Sequence, residues 1–268
     1  KPYERAIVQR EYVDKCAQFY GFCIGIFYMS LFGMFLEPIM LDQSLPAPAE
    51  FPFDASRQPL RAITYTHQII MGLFIASQLS ANAFMALLLW LTSARFKLLI
   101  EDLRSVTKFR DFVKCVKTHQ QLLEYAGEVA HTVRIFALGT IFFSTISLLV
   151  LGLIFIIRVS PALKIECVFL AVGALLEVFM YAWPAEHLIH ISNDVAQAAF
   201  ETDWHNNSSE ALRKSLQMII LRSQKPIFVV LPCGLPSLSL SYYASYLSTL
   251  FSYFTTMRIM FEEQNNGA

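Results

Sequence analysis

Long runs without a charged side chain dominate the hydrophobic pattern of this chain. Residues 16–36, 62–94 and 135–157 contain no Asp, Glu, Lys or Arg and are rich in Leu, Ile, Phe, Ala and Met. A helix of about 20 apolar residues crosses the ~30 Å hydrocarbon layer of a membrane, so these runs predict spanning helices over 16–40, 61–93 and 135–157. Residues 165–191 are largely apolar, with Glu166 and Glu186 toward the ends and Glu177 and Pro184 inside, and 237–260 carry no charge before Arg258. They predict a fourth and a fifth span. The uncharged approach 226–236 holds Pro232, Gly234 and Pro236 and is too broken for helix, so it reads as a turn. The segment 41–60 is proline-rich and acidic, which forbids regular helix and suits either a compact cover over a site or a plain connector.

Two stretches show helical periodicity with charge. Across 94–134, apolar residues recur at Phe109, Phe112, Val113, Val116, Leu122, Leu123, Ala126 and Val129 between Arg110, Lys114 and Lys117. That spacing predicts an amphipathic helical extension. Residues 192–225 predict a second, in which Asn207 and Glu210 can form a capping box ahead of Leu212, Leu216, Ile219 and Ile220. Arg213, Lys214, Arg222 and Lys225 take its other face, which fits either a membrane-surface helix or helix packing between subunits. Of 21 basic residues, 16 lie in 1–15, 91–135 and 191–226. The positive-inside rule makes those segments cytoplasmic, with 41–60 and the tail 261–268 extracellular. The fold class that follows is all-α, a polytopic membrane helical bundle with five transmembrane helices and long cytoplasmic helical extensions.

Composition agrees: 55% of residues are hydrophobic and 16% charged, too apolar for a hydrated globular surface. Basic and acidic residues balance at 21 each, which argues against nucleic acid as a partner. Lys1 opens the chain and no signal peptide follows, so the sequence reads as a fragment. Cys16, Cys23, Cys115, Cys167 and Cys233 show no ligand spacing and read as buried or free thiols. His187 and His190 have i, i+3 spacing but no matching Asp, Glu or Cys cluster, so we expect no metal, no cofactor and, without paired carboxylates or a nucleophile elbow, no enzyme. Asn206 and Asn207 match the glycosylation pattern yet fall in a cytoplasmic segment. Glu177 is an acid deep in a predicted span, costly unless paired, hydrated or protonated, and so a functional candidate unless it lies at the inner boundary.

In the last span, Ser245, Thr249, Ser252 and Thr256 follow i, i+4, i+7, i+11 spacing and share one helix face, which Ile259 and Met260 continue. Such hydroxyls can satisfy themselves on the i−4 carbonyl and face other helices. They can also form a water-contacting pore wall closed by an apolar gate, which requires several copies around an axis. The outer halves of the first four spans offer Ser30, Gly33, Met34, Tyr65, Gln68, Met71, Ile75, Phe155, Phe169 and Val172. This mixed apolar and lightly polar set suits a small apolar ligand or ordinary interhelical packing.

The tail carries a more specific signal in three strings: Glu201-Thr202-Asp203-Trp204, the basic amphipathic run 212–226, and Ser252-Tyr253-Phe254-Thr255-Thr256-Met257-Arg258. Together they resemble the C-terminal third of an insect odorant receptor. The resemblance implies a seven-span subunit with its N-terminus inside, of which this fragment lacks the N-terminal segment and first two spans. It implies an odorant-specificity subunit of a ligand-gated non-selective cation channel, paired with a shared co-receptor in a heterotetramer, in the plasma membrane of olfactory neuron dendrites. Positions spaced like Ser30 with Gly33, and Met71 with Ile75, then belong to a pocket for a volatile. Thr256, Ile259 and Met260 fall at the gate, Thr256 standing where the family is apolar. The alternatives are a seven-span receptor signalling through a cytoplasmic partner, a gustatory channel, or a transporter, which would show inverted repeats.

Overall fold

The computed structural model describes residues 8–40, 57–106, 109–157, 160–202 and 210–266. A π-helical turn, Val8–Val13, runs into α1 (Asp14–Met40). Then come α2 (Leu60–Arg104), α3 (Phe109–Ile156), α4 (Pro161–Phe200), α5 (Glu210–Ser223) and α6 (Leu240–Asn266). The fold is all-α, and the one bridge among the described residues, Val230 with Ser237, is isolated. The 41–56 part of the proline-rich loop, the Asn207 cap and the acceptors Asn206 and Asn207 lie outside the described residues.

Helix length explains how spans and extensions relate. At 1.5 Å per residue, the 45 residues of α2 measure about 68 Å, roughly twice the hydrocarbon thickness. The expected extension 94–134 is therefore no separate element. It is the end of α2 and the start of α3, each continuous with its span. α4 likewise runs on past residue 191 with Pro184 inside it. Its start follows local chemistry: Ser160 Oγ accepts from the Leu163 N–H at 3.3 Å, and Pro161 occupies the first turn, where its missing N–H costs nothing. Among the described residues, four helices (α1 to α4) are long and apolar enough to cross a membrane. α6 falls short because Ser, Thr and Tyr interrupt its apolar residues.

The chain divides into two compact units, Val13–Phe84 and Met85–Ala268 with Lys1–Tyr12. In the first, the Tyr28 and Ser80 hydroxyls hydrogen-bond at 3.0 Å. Gly72 leaves room for α1, since a Cβ there would come within 2.7 Å of Leu31 Cδ1. In the second, the core lies where the charged extensions are. Phe96 and Leu103 of α2, Phe112 and Val133 of α3, and Leu188 and Val195 of α4 are fully buried, with Leu216 and Ile219 of α5 closing over them. Each such side chain contributes about 1.5–3 kcal/mol on leaving water. The apolar halves of α3 and α4 instead expose Phe142, Phe143 and Phe169. Hydrophobic side chains outside and tight packing at the charged end are what a helix bundle shows when its apolar half sits in lipid. Arg104 Nε and Glu201 Oε2 pair at 3.1 Å and tie the ends of α2 and α4, an exposed pair that solvent screens.

The turn before α6 is tighter than its prolines suggest. Cys233 and Gly234 both take positive φ, 62° and 73°, reversing the chain so that the Leu238 N–H reaches the Val229 carbonyl at 2.9 Å. This holds 237–239 out of the helix, so α6 begins at Leu240 rather than 237. It also continues to Asn266, taking most of the expected tail into helix.

Candidate functional site

Two faces of α6 have different fates. Tyr243, Tyr246, Phe254 and Met257 turn toward α3 and α4. The Tyr243 hydroxyl donates to the Leu175 carbonyl at 3.2 Å, and the Tyr246 hydroxyl lies 3.2 Å from Thr145 Oγ1. Gly152 of α3 admits Phe254 and Met257, which would stand 3.4 and 3.5 Å from a Cβ at that position. Phe254 also meets the Phe155 ring edge-on at 6.1 Å. The other face holds Ser245, Thr249, Ser252, Thr256, Ile259 and Met260, all exposed. Three of its hydroxyls bond back along the helix: Ser245 to the Ser241 carbonyl, Thr249 to Ser245 and Thr256 to Ser252, at 2.9–3.1 Å. This is the local satisfaction that lets small hydroxyls sit in a membrane at little cost. The face remains a polar stripe, ended by exposed Ile259 and Met260, that points away from the chain's own packing.

The candidate ligand residues divide between the units. Ser30, Gly33, Met34, Tyr65, Gln68, Met71 and Ile75 belong to the first. Phe155, Phe169 and Val172 belong to the second. Ser30, Gly33, Met71 and Ile75 are exposed, and a Cβ at Gly33 would meet nothing within 4 Å. Tyr65 and Gln68 are half-buried. The α1–α2 contacts run instead through Tyr28, Leu31 and Phe35 against Gly72 and Ser80, so in the chain alone the four exposed positions are open surface. Phe169 and Val172 are likewise exposed on α4, and Phe155 lies beneath the Lys164 ammonium, 5.5 Å from its ring centroid.

Glu177 is half-buried on α4, one turn before Tyr181, whose hydroxyl bonds Thr140 of α3. The two histidines of the i, i+3 pair have separate partners. His187 Nε2 lies 3.2 Å from the Tyr12 hydroxyl, and His190 Nε2 lies 2.9 Å from Glu186 Oε1. Among the described residues no group of three His, Cys, Asp or Glu side chains could hold a metal.

An aromatic chain escaped the sequence reading. Tyr12, Trp90 and His187 meet at centroid distances of 4.8–6.0 Å, Trp90 meets Trp183 at 5.0 Å, and Phe179 joins Trp183 to Tyr243 at 6.0 and 5.5 Å. It links the segment before α1, the middle of α2, α4 and the first turn of α6. The residues come from four elements, so no local spacing announces them. The only available signal was Phe179, Trp183 and His187 at i, i+4, i+8.

A family model described as "7tm Odorant receptor" matches residues 2–251. Over 240 residues the chain is 23% identical to odorant receptor 47b of Drosophila melanogaster, which takes in 80% of this chain and 55% of that protein. It is 25% identical over 157 residues to odorant receptor Or2 of Anopheles gambiae, covering 57% of this chain and 40% of the relative. The solved insect olfactory receptor OR5 from Machilis hrabei in complex with eugenol superposes with a TM-score of 0.78 at 16% identity, over 96% of this chain and 69% of that one. A second structure of the same receptor gives 0.70 at 15% identity, with the same coverage. At such identities the likeness is one of fold, and the chain spans about half the length of the first of these relatives.

Proposed function

The chain belongs to the insect odorant receptor family, and from that premise we propose that it is the odorant-specificity subunit of a ligand-gated, non-selective cation channel. The observation that carries the proposal is the division of α6. One face is packed on α3 and α4. The other is a stripe of exposed hydroxyls running into Ile259 and Met260. One helix encloses nothing, so several copies surround an axis, the remaining ones supplied by the shared co-receptor in a heterotetramer. Hydroxyls then line water, and the apolar pair forms a constriction that stays dry until it widens. α6 is thus a fifth span despite its lower hydropathy, because only part of its surface meets lipid.

The ligand is a small apolar volatile. Ser30, Gly33, Met34, Tyr65, Gln68, Met71 and Ile75, with Phe155, Phe169 and Val172, are the residues assigned to it. The solved receptor of like fold is in complex with eugenol, a ligand of that size and character. Binding favours the open arrangement only by the difference in affinity between the two states. The protein acts as a receptor and not a catalyst. The family points to the plasma membrane of olfactory neuron dendrites, and the distribution of Lys and Arg residues supports an N-terminus inside.

The test is a cysteine scan of α6 in the full-length receptor co-expressed with the co-receptor. Cys at Ser245, Thr249, Ser252 and Thr256 should react with water-borne thiol reagents and change the odorant-evoked current, and Cys at Leu250 should react far less. A polar side chain at Ile259 or Met260 should raise the current without odorant. Equal labelling around the helix with unaltered currents retires the pore assignment.

A further inference from the structure

Glu186 joins two elements that the sequence separates by more than 50 residues. Its Oε2 accepts the N–H of Leu240, the first residue of α6, at 3.0 Å, and its Oε1 lies 2.9 Å from His190 Nε2. The first N–H groups of a helix have no partner within it, and its N-terminus carries partial positive charge. A carboxylate there both fills a vacant acceptor role and opposes the dipole. Ser239 Oγ takes the Tyr242 N–H at 3.0 Å, so the start of α6 is capped from within and clamped from α4.

The clamp is part of a longer contact. Leu175, Phe179 and Glu186 follow i, i+4, i+11 spacing and so share one face of α4. Leu175 accepts from the Tyr243 hydroxyl, Phe179 packs on the Tyr243 ring at 5.5 Å, and Glu186 holds Leu240. Phe169 and Val172, assigned above to the ligand, stand on the same helix before Leu175. Fourteen residues of helix separate Val172 from Glu186, about 21 Å.

We propose that Glu186 is a positioning residue that couples α4 to the pore helix, so that a displacement of α4 on ligand binding is passed to the inner end of α6. The inference rests on the pore reading of α6. An allosteric link requires an element whose arrangement both sites bias, and the α4–α6 seam supplies one. Without the carboxylate the two helices still pack through Tyr243, but the start of α6 is free to lag behind α4.

The experiment uses the full-length receptor with the co-receptor and has two arms. In the first, Glu186→Cys and Leu240→Cys are combined with Cys233→Ser and a protease site within 203–209, and a short bis-maleimide should keep the two cleaved halves together on a denaturing gel. In the second, Glu186→Ala should raise the half-maximal odorant concentration about fivefold, the usual size of a lost cap, at unchanged surface level. Glu186→Gln keeps an acceptor oxygen and should stay within about twofold of the original. Failure to cross-link overturns the proposal, as does an unchanged dose response in Glu186→Ala or a Glu186→Gln as impaired as Glu186→Ala. If the unsubstituted complex carries no current while the cross-link forms, the pore reading fails and takes the coupling with it. Normal currents in a Glu186→Ala channel with an unshifted response retire the coupling alone.

Discussion

His119 gives the charged end of the helical bundle a built-in dependence on pH. It lies on α3 with 2% of its surface exposed, and its Nε2 finds no hydrogen-bond partner among the described residues. Burial first, and the Arg222 guanidinium second, hold its imidazole down to about 4, against about 6.5 in an open chain. The fold therefore binds the neutral ring. As pH falls through about 6.5 the unfolded segment gains a proton that the folded one refuses, so stability is complete above that value and drains away down to about pH 4. Between about pH 7.5 and 5.5 the loss is about 1 kcal/mol, on the order of tenfold in the opening equilibrium. His119→Leu removes the titration and keeps an apolar side chain in the site. The assay is amide hydrogen exchange of the full-length receptor in detergent, read on peptides covering 112–126 and normalised at each pH to the intrinsic rate. The native protein should open about tenfold more at the lower pH and the variant less than twofold more. Matching pH slopes in the two proteins would refute the assignment of the loss to this ring.

The other predictions concern topology and the pocket. Asn206 and Asn207 should carry no glycan when the receptor is made in microsomes, and a sugar on either one, removable by endoglycosidase, reverses the orientation derived from Lys and Arg. Gly33→Trp and Ile75→Trp should each shift or abolish odorant tuning while the protein still reaches the surface. The open space around Gly33 means the first is accommodated within the chain itself, and an unchanged dose response in both moves the pocket elsewhere.

Hydropathy and charge are local properties, which is why so much of the bundle was legible. The uncharged runs 16–36 and 62–94 fall within α1 and α2, the run 135–157 within α3 but for its last residue, and the amphipathic stretches map to the ends of α2 and α3 and to α5. What local pattern could not supply is continuity. Pro184 looks like a break, yet α4 passes through it with Tyr181, Ala182, Ala185 and Leu188 all buried around it, because packing against α3 and α5 supports the helix. α6 starts three residues later than its uncharged run for a similar reason: the Val229–Leu238 bond belongs to a turn that only the folded linker makes. The sharing of Tyr12, Trp90, Trp183 and His187 among separate elements is a tertiary fact at which only the spacing of Phe179, Trp183 and His187 hints, and the reach of Glu186 to Leu240 leaves no trace in spacing.

The span that hydropathy ranks lowest is the one to which we assign conduction, and the two observations have one cause. A helix that meets lipid over most of its surface must be apolar nearly all round, as α1 and the apolar half of α3 are. α6 is held on one side by Tyr243, Tyr246, Phe254 and Met257, which takes that side out of lipid, and on the pore reading water takes the hydroxyl stripe opposite. Hydroxyls that bond to their own backbone cost little there and still offer lone pairs to water. Exposed Ile259 and Met260 then stand out as the place where wetting is hardest. A stripe placed at random would not both avoid the packed face and end in two large apolar side chains.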